Sequence, residues 1–309
     1  MRTAFIKKLH ELAKRDSRIN LLVGDLGFGV VTDFASDFPD QFCNVGVAEQ
    51  NMTGLAAGMA LSGKIVFTYS IGNFPTLRCL EQVRNDVCYH NANVKIVPVG
   101  GGLAYGALGS THHATEDIAI MRALPNMTVV APGDPVEAAE ATAALAAAPG
   151  PAYLRLGRAG EPEVHSDEVR FELGRAIKVR DGEDVTLIAT GSILHNTLLA
   201  AERLEERGIR ARVLSMHTVK PLDAQAVKAA AEETAAIVTL EEHTIVGGLG
   251  GAILEALSDL RAVGVPVKRI GLPSKFISEV GRQSYLWELH GLSVDKLVDS
   301  VEAFLRGIC

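Results

Sequence analysis

The sequence predicts two doubly wound (Rossmann-like) α/β domains with mostly parallel sheets, and three observations carry that reading. Short β-branched runs alternate with longer helix-period segments. Gly, Pro or Asp punctuates the changes between them. A polar stretch rich in Gly and Pro, Gly157–Glu168, separates one such series from a second and reads as a linker. Alternation of this kind places helices on both faces of a parallel sheet. The expected division is therefore 1–165 and 166–309.

In the first series, strands are expected at Asn20–Val23, Lys64–Thr68, Val94–Val99, Thr128–Ala131 and Ala152–Leu156. Helices are expected near Ala4–Lys14, Ala48–Ser62, Thr76–His90, Glu116–Leu124 and Pro135–Ala147. The last begins with Pro135 directly after Asp134, a first-position proline behind an N-cap aspartate. In the second series, strands are expected at Val185–Ala189, Ala211–Leu214, Ala236–Leu240 and Val267–Ile270. The helices that alternate with them are near Leu194–Arg207, Asp223–Glu233, Gly250–Leu260 and Val294–Leu305.

A length of 309 residues accommodates two such cores. The 48% hydrophobic and 22% charged residues are ordinary for a globular chain. A formal charge of −7 argues against nucleic acid as the main partner, because phosphate neutralisation needs a basic face. No uninterrupted apolar run reaches the roughly 18 residues of a membrane-crossing helix. The start, Met1-Arg2-Thr3-Ala4-Phe5, leads into an amphipathic stretch without the apolar centre of a cleavable signal. A cytoplasmic location is the expectation. Cys43, Cys79, Cys88 and Cys309 form no CxxC pair, so neither a zinc site nor a disulfide framework is expected.

The chemistry-bearing string is Asn44-Val45-Gly46-Val47-Ala48-Glu49-Gln50-Asn51-Met52. A strand end runs into a helix with Glu49 in its first turn, followed by a small-residue face at Gly54, Ala57 and Gly58. The helix dipole alone is sufficient reason for a carboxylate at that position. Further strings follow in order: Phe67–Ser70, Glu81–Asp86, Gly109-Ser110-Thr111-His112-His113-Ala114-Thr115-Glu116-Asp117, Leu124–Met127, Val130–Asp134 and Tyr153-Leu154-Arg155-Leu156-Gly157-Arg158. The second half adds Thr218-Val219-Lys220-Pro221-Leu222-Asp223, Glu241-Glu242-His243 and Gly247–Gly250.

Together these strings resemble the pyrimidine-binding and C-terminal domains of the thiamine-diphosphate-dependent transketolase and deoxyxylulose-phosphate synthase family, over nearly the whole chain. The resemblance implies that Glu49 hydrogen-bonds N1′ of the cofactor's aminopyrimidine. That contact activates thiazolium C2 towards a ketose carbonyl, and a two-carbon ketol unit passes to an aldehyde. For this the carboxyl group needs a proton to share, which desolvation against a ring favours. Phe74 is the candidate ring stacked on the pyrimidine, though its loop is longer than the usual pattern, and it reads equally as a core residue at a helix start. His112 matches the histidine that bonds the donor's oxygens; as bare residues, His112-His113 read as a polar loop pair. Asp25 matches an aspartate near the cofactor, or caps a turn.

The Gly-Asp-Gly element that holds diphosphate through Mg²⁺ is missing, since Leu26 follows Gly24-Asp25. The resemblance therefore implies a split enzyme, its diphosphate and Mg²⁺ held by a separate N-terminal subunit, with α2β2 as the expected assembly. Gly100 stands where transketolases bind phosphate with His, Gly29 where they have Ser, and Leu108 where an acidic residue reads sugar hydroxyls. Arg158 remains as a substrate contact, with Arg2 and Arg78 as further candidates, and a sugar or sugar phosphate as the substrate class. Two alternatives stay open: the β subunit of a 2-oxo acid dehydrogenase E1 component, and a non-catalytic assembly subunit of the same fold.

Overall fold

The computed structural model describes residues 1–166, 169–262 and 264–308. Asp167 and Glu168, at the end of the expected linker, and Cys309 lie outside the described residues. Among the described residues twelve strands run in chain order: β1 (Ile19–Val23), β2 (Phe42–Asn44), β3 (Ile65–Ile71), β4 (Val94–Val99), β5 (Thr128–Val130), β6 (Ala152–Leu154), β7 (Ile177–Arg180), β8 (Val185–Thr190), β9 (Ala211–Ser215), β10 (Thr218–Lys220), β11 (Ile237–Thr244) and β12 (Val267–Leu272). They form a seven-stranded sheet of order β10-β5-β6-β4-β3-β1-β2 and a five-stranded sheet of order β12-β11-β8-β9-β7.

The central strands are buried on both faces. All residues of β1, β4, β8 and β11 are buried, mostly Val, Ile and Leu as doubly covered parallel strands require, with Lys95 in β4 and Glu241, Glu242 and His243 in β11 buried among them. Each sheet has one antiparallel edge strand: β7 against β9, and β10 against β5. The second of these crosses the division between the two series, because β10 belongs to the second half and extends the first sheet.

The helix Pro135–Ala147 starts as its sequence dictates, with Asp134 Oδ1 accepting the Glu137 N–H at 2.8 Å. The expected helix over Thr76–His90 is instead broken into Asn73–Thr76, Leu80–Gln82 and a π-helical turn at Val83–Cys88. Cys79 leaves helical geometry at φ −106°, and its thiol turns back to the Phe74 carbonyl at 3.3 Å. Phe74 and Arg78 precede the break and, four residues apart on one helical turn, share a face. Of the small residues that follow Glu49, Ala57 faces the core and the two glycines face outward. In the helix Glu49–Leu61 it is Met52, Thr53, Ala56 and Ala57 that are buried, while Gly54 and Gly58 are exposed.

Candidate active site

The carboxyl ends of β1, β3 and β4 meet at one edge of the large sheet, where open α/β sheets place their ligand crevices. Glu49 opens the helix Glu49–Leu61 beside these ends and is 1% exposed. Its Oε1 accepts from Ser70 Oγ, at the end of β3, at 3.3 Å. Its Oε2 accepts from Arg78 Nη1 at 2.7 Å. Gly24, at the end of β1, faces the same carboxyl group. A Cβ there would lie 3.4 Å from both Glu49 Cγ and Ser70 Oγ, so the missing side chain leaves room beside the acid.

Arg78 joins Glu49 to the aromatic candidate. Its guanidinium carbon lies 4.7 Å from the centre of the Phe74 ring, over its face. The Phe74 ring in turn meets His112 edge-on, with centroids 5.4 Å apart. His112 Nδ1 is 3.0 Å from Thr111 Oγ1. The loop that carries it is tied down by Asn73, whose amide donates to the His113 carbonyl. A cleft of about 650 Å³ is lined by Phe74, Arg78, Ser110 and Thr111 from the first half and by Phe276 and Ile277 from the second. Phe276 is 88% exposed, so this rim is open.

Asp25 sits just beyond β1 in the left-handed region, at φ 52°, which aspartate tolerates. It forms a two-way pair with Asn44 at the end of β2. The Asp25 N–H donates to Asn44 Oδ1 at 3.1 Å, and Asn44 Nδ2 donates to Asp25 Oδ1 at 2.9 Å. The Asp25 carboxylate thus bonds the Asn44 amide rather than a backbone N–H of its own turn, and Asp25 is exposed beside the crevice.

The structure separates the three candidate arginines. Arg78 stands on Glu49 and Phe74, at the acid rather than with the other two. Arg158 lies over Tyr105, its guanidinium carbon 5.5 Å from the ring centre. Arg2 has a buried Nε without a partner among the described residues. Burial pushes the nearby Tyr69 phenol well above its usual value; the positive charge of Arg2 opposes this and Tyr105 adds to it. Arg2 and Tyr105 therefore share one neighbourhood around Tyr69.

Tyr105 is the residue that sequence reading missed. Its ring lies against Gly100, where a Cβ would come within 2.1 Å of two ring carbons and where φ is +86°. Gly100 is thus the residue type this packing requires. An aromatic residue a few positions beyond an unexpected glycine was the only signal of it in the sequence.

Comparison with known proteins decides the family. Residues 1–161 match the family model for the transketolase pyrimidine-binding domain, and residues 174–297 match that for the transketolase C-terminal domain. The chain belongs to the transketolase family. It is 41% identical over 307 residues to one of the apulose-4-phosphate transketolase subunits of Phocaeicola vulgatus, covering 99% of this chain and 97% of that one. It is also 41% identical over 299 residues to the 6-deoxy-6-sulfo-D-fructose transketolase subunit SqwH of a Clostridium species, covering 96% and 92%. A solved structure described as a split-gene transketolase, an inactive β4 tetramer, superposes with a TM-score of 0.90 at 40% identity, over 99% of this chain and 97% of that chain.

The transketolase family is thiamine-diphosphate dependent, and the two matched domains are the make-up of a split-transketolase β subunit, one part of a heteromeric transferase. The geometry around Glu49 suits the aminopyrimidine end of that cofactor: a buried carboxylate, a neighbouring glycine without a Cβ, and an aromatic ring at the rim.

Proposed function

We propose that this chain supplies the pyrimidine side of a split transketolase that moves a two-carbon ketol unit from a ketose to an aldehyde. In this reading residues 1–165 are the pyrimidine-binding domain and 166–309 the C-terminal domain. A separate N-terminal subunit holds the diphosphate through Mg²⁺, the assembly is α2β2, and the enzyme works in carbohydrate metabolism in the cytoplasm. The observation that carries the reading is the series Glu49, Arg78, Phe74 and His112, each touching the next, with Arg78 and Phe74 lining the open cleft.

Thiamine diphosphate supplies the electron sink for cleaving a bond next to a carbonyl group. The chain's own residues supply position and protons. Glu49, fixed by Ser70, holds the aminopyrimidine edge and shares a proton with its ring nitrogen. Phe74 offers its face to the ring once Arg78 moves aside. His112 has a ring nitrogen to offer to the substrate's oxygens, and Asp25 lies at the neighbouring strand end.

Arg158 and Arg2 meet the charged end of the substrate. The relatives named above act on a 4-phosphorylated and a 6-sulfonated sugar, both bearing a tetrahedral oxyanion. Tyr105 filling the place at Gly100 favours such a donor over ordinary pentose phosphates. Reconstitution with a subunit carrying the Gly-Asp-Gly element tests the reading. Ketol transfer is expected only in the mixture, and calorimetry with Mg²⁺ should show thiamine diphosphate binding weakly, or not at all, to this chain alone. Tight binding by the isolated chain, or a mixture that binds cofactor but transfers nothing, would remove the proposal.

A further inference from the structure

A second cleft, of about 550 Å³, runs between the two halves, away from Glu49. Tyr105 and Arg158 line it from the first half; Ser192, His195, Arg282 and Gln283 line it from the second. Its walls are held in place from below by Glu242, which is 1% exposed. Glu242 accepts from the Leu103 N–H at 2.9 Å, Ser192 Oγ at 3.1 Å, Gln283 Nε2 at 2.9 and 3.0 Å, and Trp287 Nε1 at 2.7 Å. One buried carboxylate therefore fixes side chains from two segments of the cleft wall, Ser192 and Gln283 with Trp287, and ties them to the backbone at Leu103. Close backbone approach fixes the rim, because a Cβ at Gly106 would strike Leu286 at 2.4 Å and the Gly281 carbonyl at 2.7 Å.

The groups facing the space are cationic or neutral donors. Arg158 and Arg282 are both exposed, and neither has an ion-pair partner among the described residues. His195 Nδ1 is buried without a hydrogen-bond partner among them. Glu161 also lines the cleft, but the Met1 amino group neutralises it at 2.6 Å. Two unpaired guanidinium groups in a chain of net charge −7 are a local reversal of sign, and guanidinium forks match tetrahedral oxyanions bidentately.

We propose that this cleft is an oxyanion site formed by both halves, in which Arg282 joins Arg158 to hold the phosphate or sulfonate of a small hydroxylated ligand, with Ser192, His195 and Gln283 beside its hydroxyl groups. The proposal rests on the reading of Arg158 as an anion contact, and adds Arg282, His195 and the second half of the chain to that site.

The sequence contains a single tryptophan, Trp287, and it lines this cleft, so its emission reports on occupancy. The full chain is titrated with inorganic phosphate, sulfate and glycerol 3-phosphate, with acetate and glycerol as contrasts, at constant ionic strength. Saturable emission changes are expected with the tetrahedral anions, strongest with glycerol 3-phosphate and absent with glycerol. Tighter binding of glycerol 3-phosphate than of phosphate marks a phosphate ester as the ligand, and equal binding marks the free ion. Arg282→Gln should weaken phosphate about tenfold or more, the effect of losing one charge-assisted hydrogen bond. Arg170→Gln, at an exposed position outside the cleft, should change nothing. No saturable change, or equal losses in Arg282→Gln and Arg170→Gln, overturns the proposal. Because the measurement needs neither cofactor nor turnover, its failure is distinguishable from failure of the transferase reading.

Discussion

Two arginine–carboxylate pairs with nearly the same bond length do opposite things in this molecule. Arg78 meets Glu49 at 2.7 Å, with the arginine side chain 45% exposed. Arg155 meets Asp117 at 2.7 Å, with side chains 3% and 0% exposed. The first pair stands at a cleft with one other bond to its carboxylate, from Ser70. The second is the hub of a closed network. Asp117 Oδ2 also accepts from Tyr153, and Arg155 Nη2 donates to the carbonyls of Ala114 and Glu242, so it joins the two halves. Distance does not separate a functional pair from a structural one; solvent access and the number of remaining partners do.

The largest expected effect follows from breaking the buried pair. Arg155→Met leaves the Asp117 carboxylate without a charge partner and removes two bonds to carbonyls, of which the one to Glu242 crosses between the halves. The expected loss is about 3–5 kcal/mol of stability, read from the urea midpoint at constant m. Arg155→Met combined with Asp117→Leu should recover much of it, because no charge is then left buried. A loss under about 1 kcal/mol for the single variant would show that the network does not hold the halves together.

At the open pair the effect should move from stability to turnover. Glu49→Gln cannot share a proton with a ring nitrogen, so the reconstituted enzyme should lose about 10²–10⁴-fold in rate. Its unfolding midpoint should stay close to that of the parent chain. Retention of more than about a tenth of the activity takes Glu49 out of the mechanism.

A third cation, buried with no carboxylate at all, sharpens the contrast. Lys95 donates to the carbonyls of Ala148 at 2.8 Å and Gly150 at 2.6 Å, and burial pushes its pKa down to about 7. Where Arg155 keeps its charge through Asp117, Lys95 sheds a proton, and a neutral amine still has the two N–H groups these carbonyls need. Above pH 7 the unfolded chain binds the proton that the folded chain has released, so stability rises with pH until the ordinary lysine pKa is reached. Urea unfolding should therefore show stability increasing between about pH 7 and 10, and Lys95→Met should flatten that segment. A parent profile that is level or falls across this window removes the assignment.

These contrasts also mark what the sequence made legible. Periodicity located the long buried strands and most helices, because burial on one or both faces writes itself into local hydrophobic spacing. The short edge strands β7 and β10 escaped, and of β2 only its end at Asn44 was legible; β10 exists through pairing with β5, nearly ninety residues earlier in the chain, and such pairing leaves no local trace. Glu49, Phe74 and His112 are readable as motif positions, and the structure links them in series through Arg78, with Phe74 and Arg78 lining the cleft. Arg78, a substrate-contact candidate by sequence, stands on the Glu49 carboxyl group in this structure, a contact across 29 residues that no local pattern announces. The Asp117–Arg155–Glu242 network was not readable at all, since Arg155 reaches 38 residues back and 87 forward for its partners. Its members stand out in the sequence only as charged residues, Glu241 and Glu242 in the run that forms β11 and Arg155 just after β6, with nothing to say that they meet.

The smallest effect is expected at Arg78, and it is the one that decides what the open pair is for. The guanidinium occupies the free edge of Glu49 and the face of Phe74, the two surfaces that an aminopyrimidine would need. If Arg78 only covers those surfaces until cofactor arrives, Arg78→Ala removes a competitor. With the arginine nearly half exposed, solvent screens the pair, and its contribution is no more than about 1 kcal/mol. Stability should then fall by less than that amount. The apparent affinity of the reconstituted enzyme for thiamine diphosphate should rise by up to about fivefold, with kcat little changed. A hundredfold fall in kcat with cofactor affinity unchanged would mean instead that Arg78 touches the reacting sugar, and that the pair with Glu49 positions the guanidinium for catalysis.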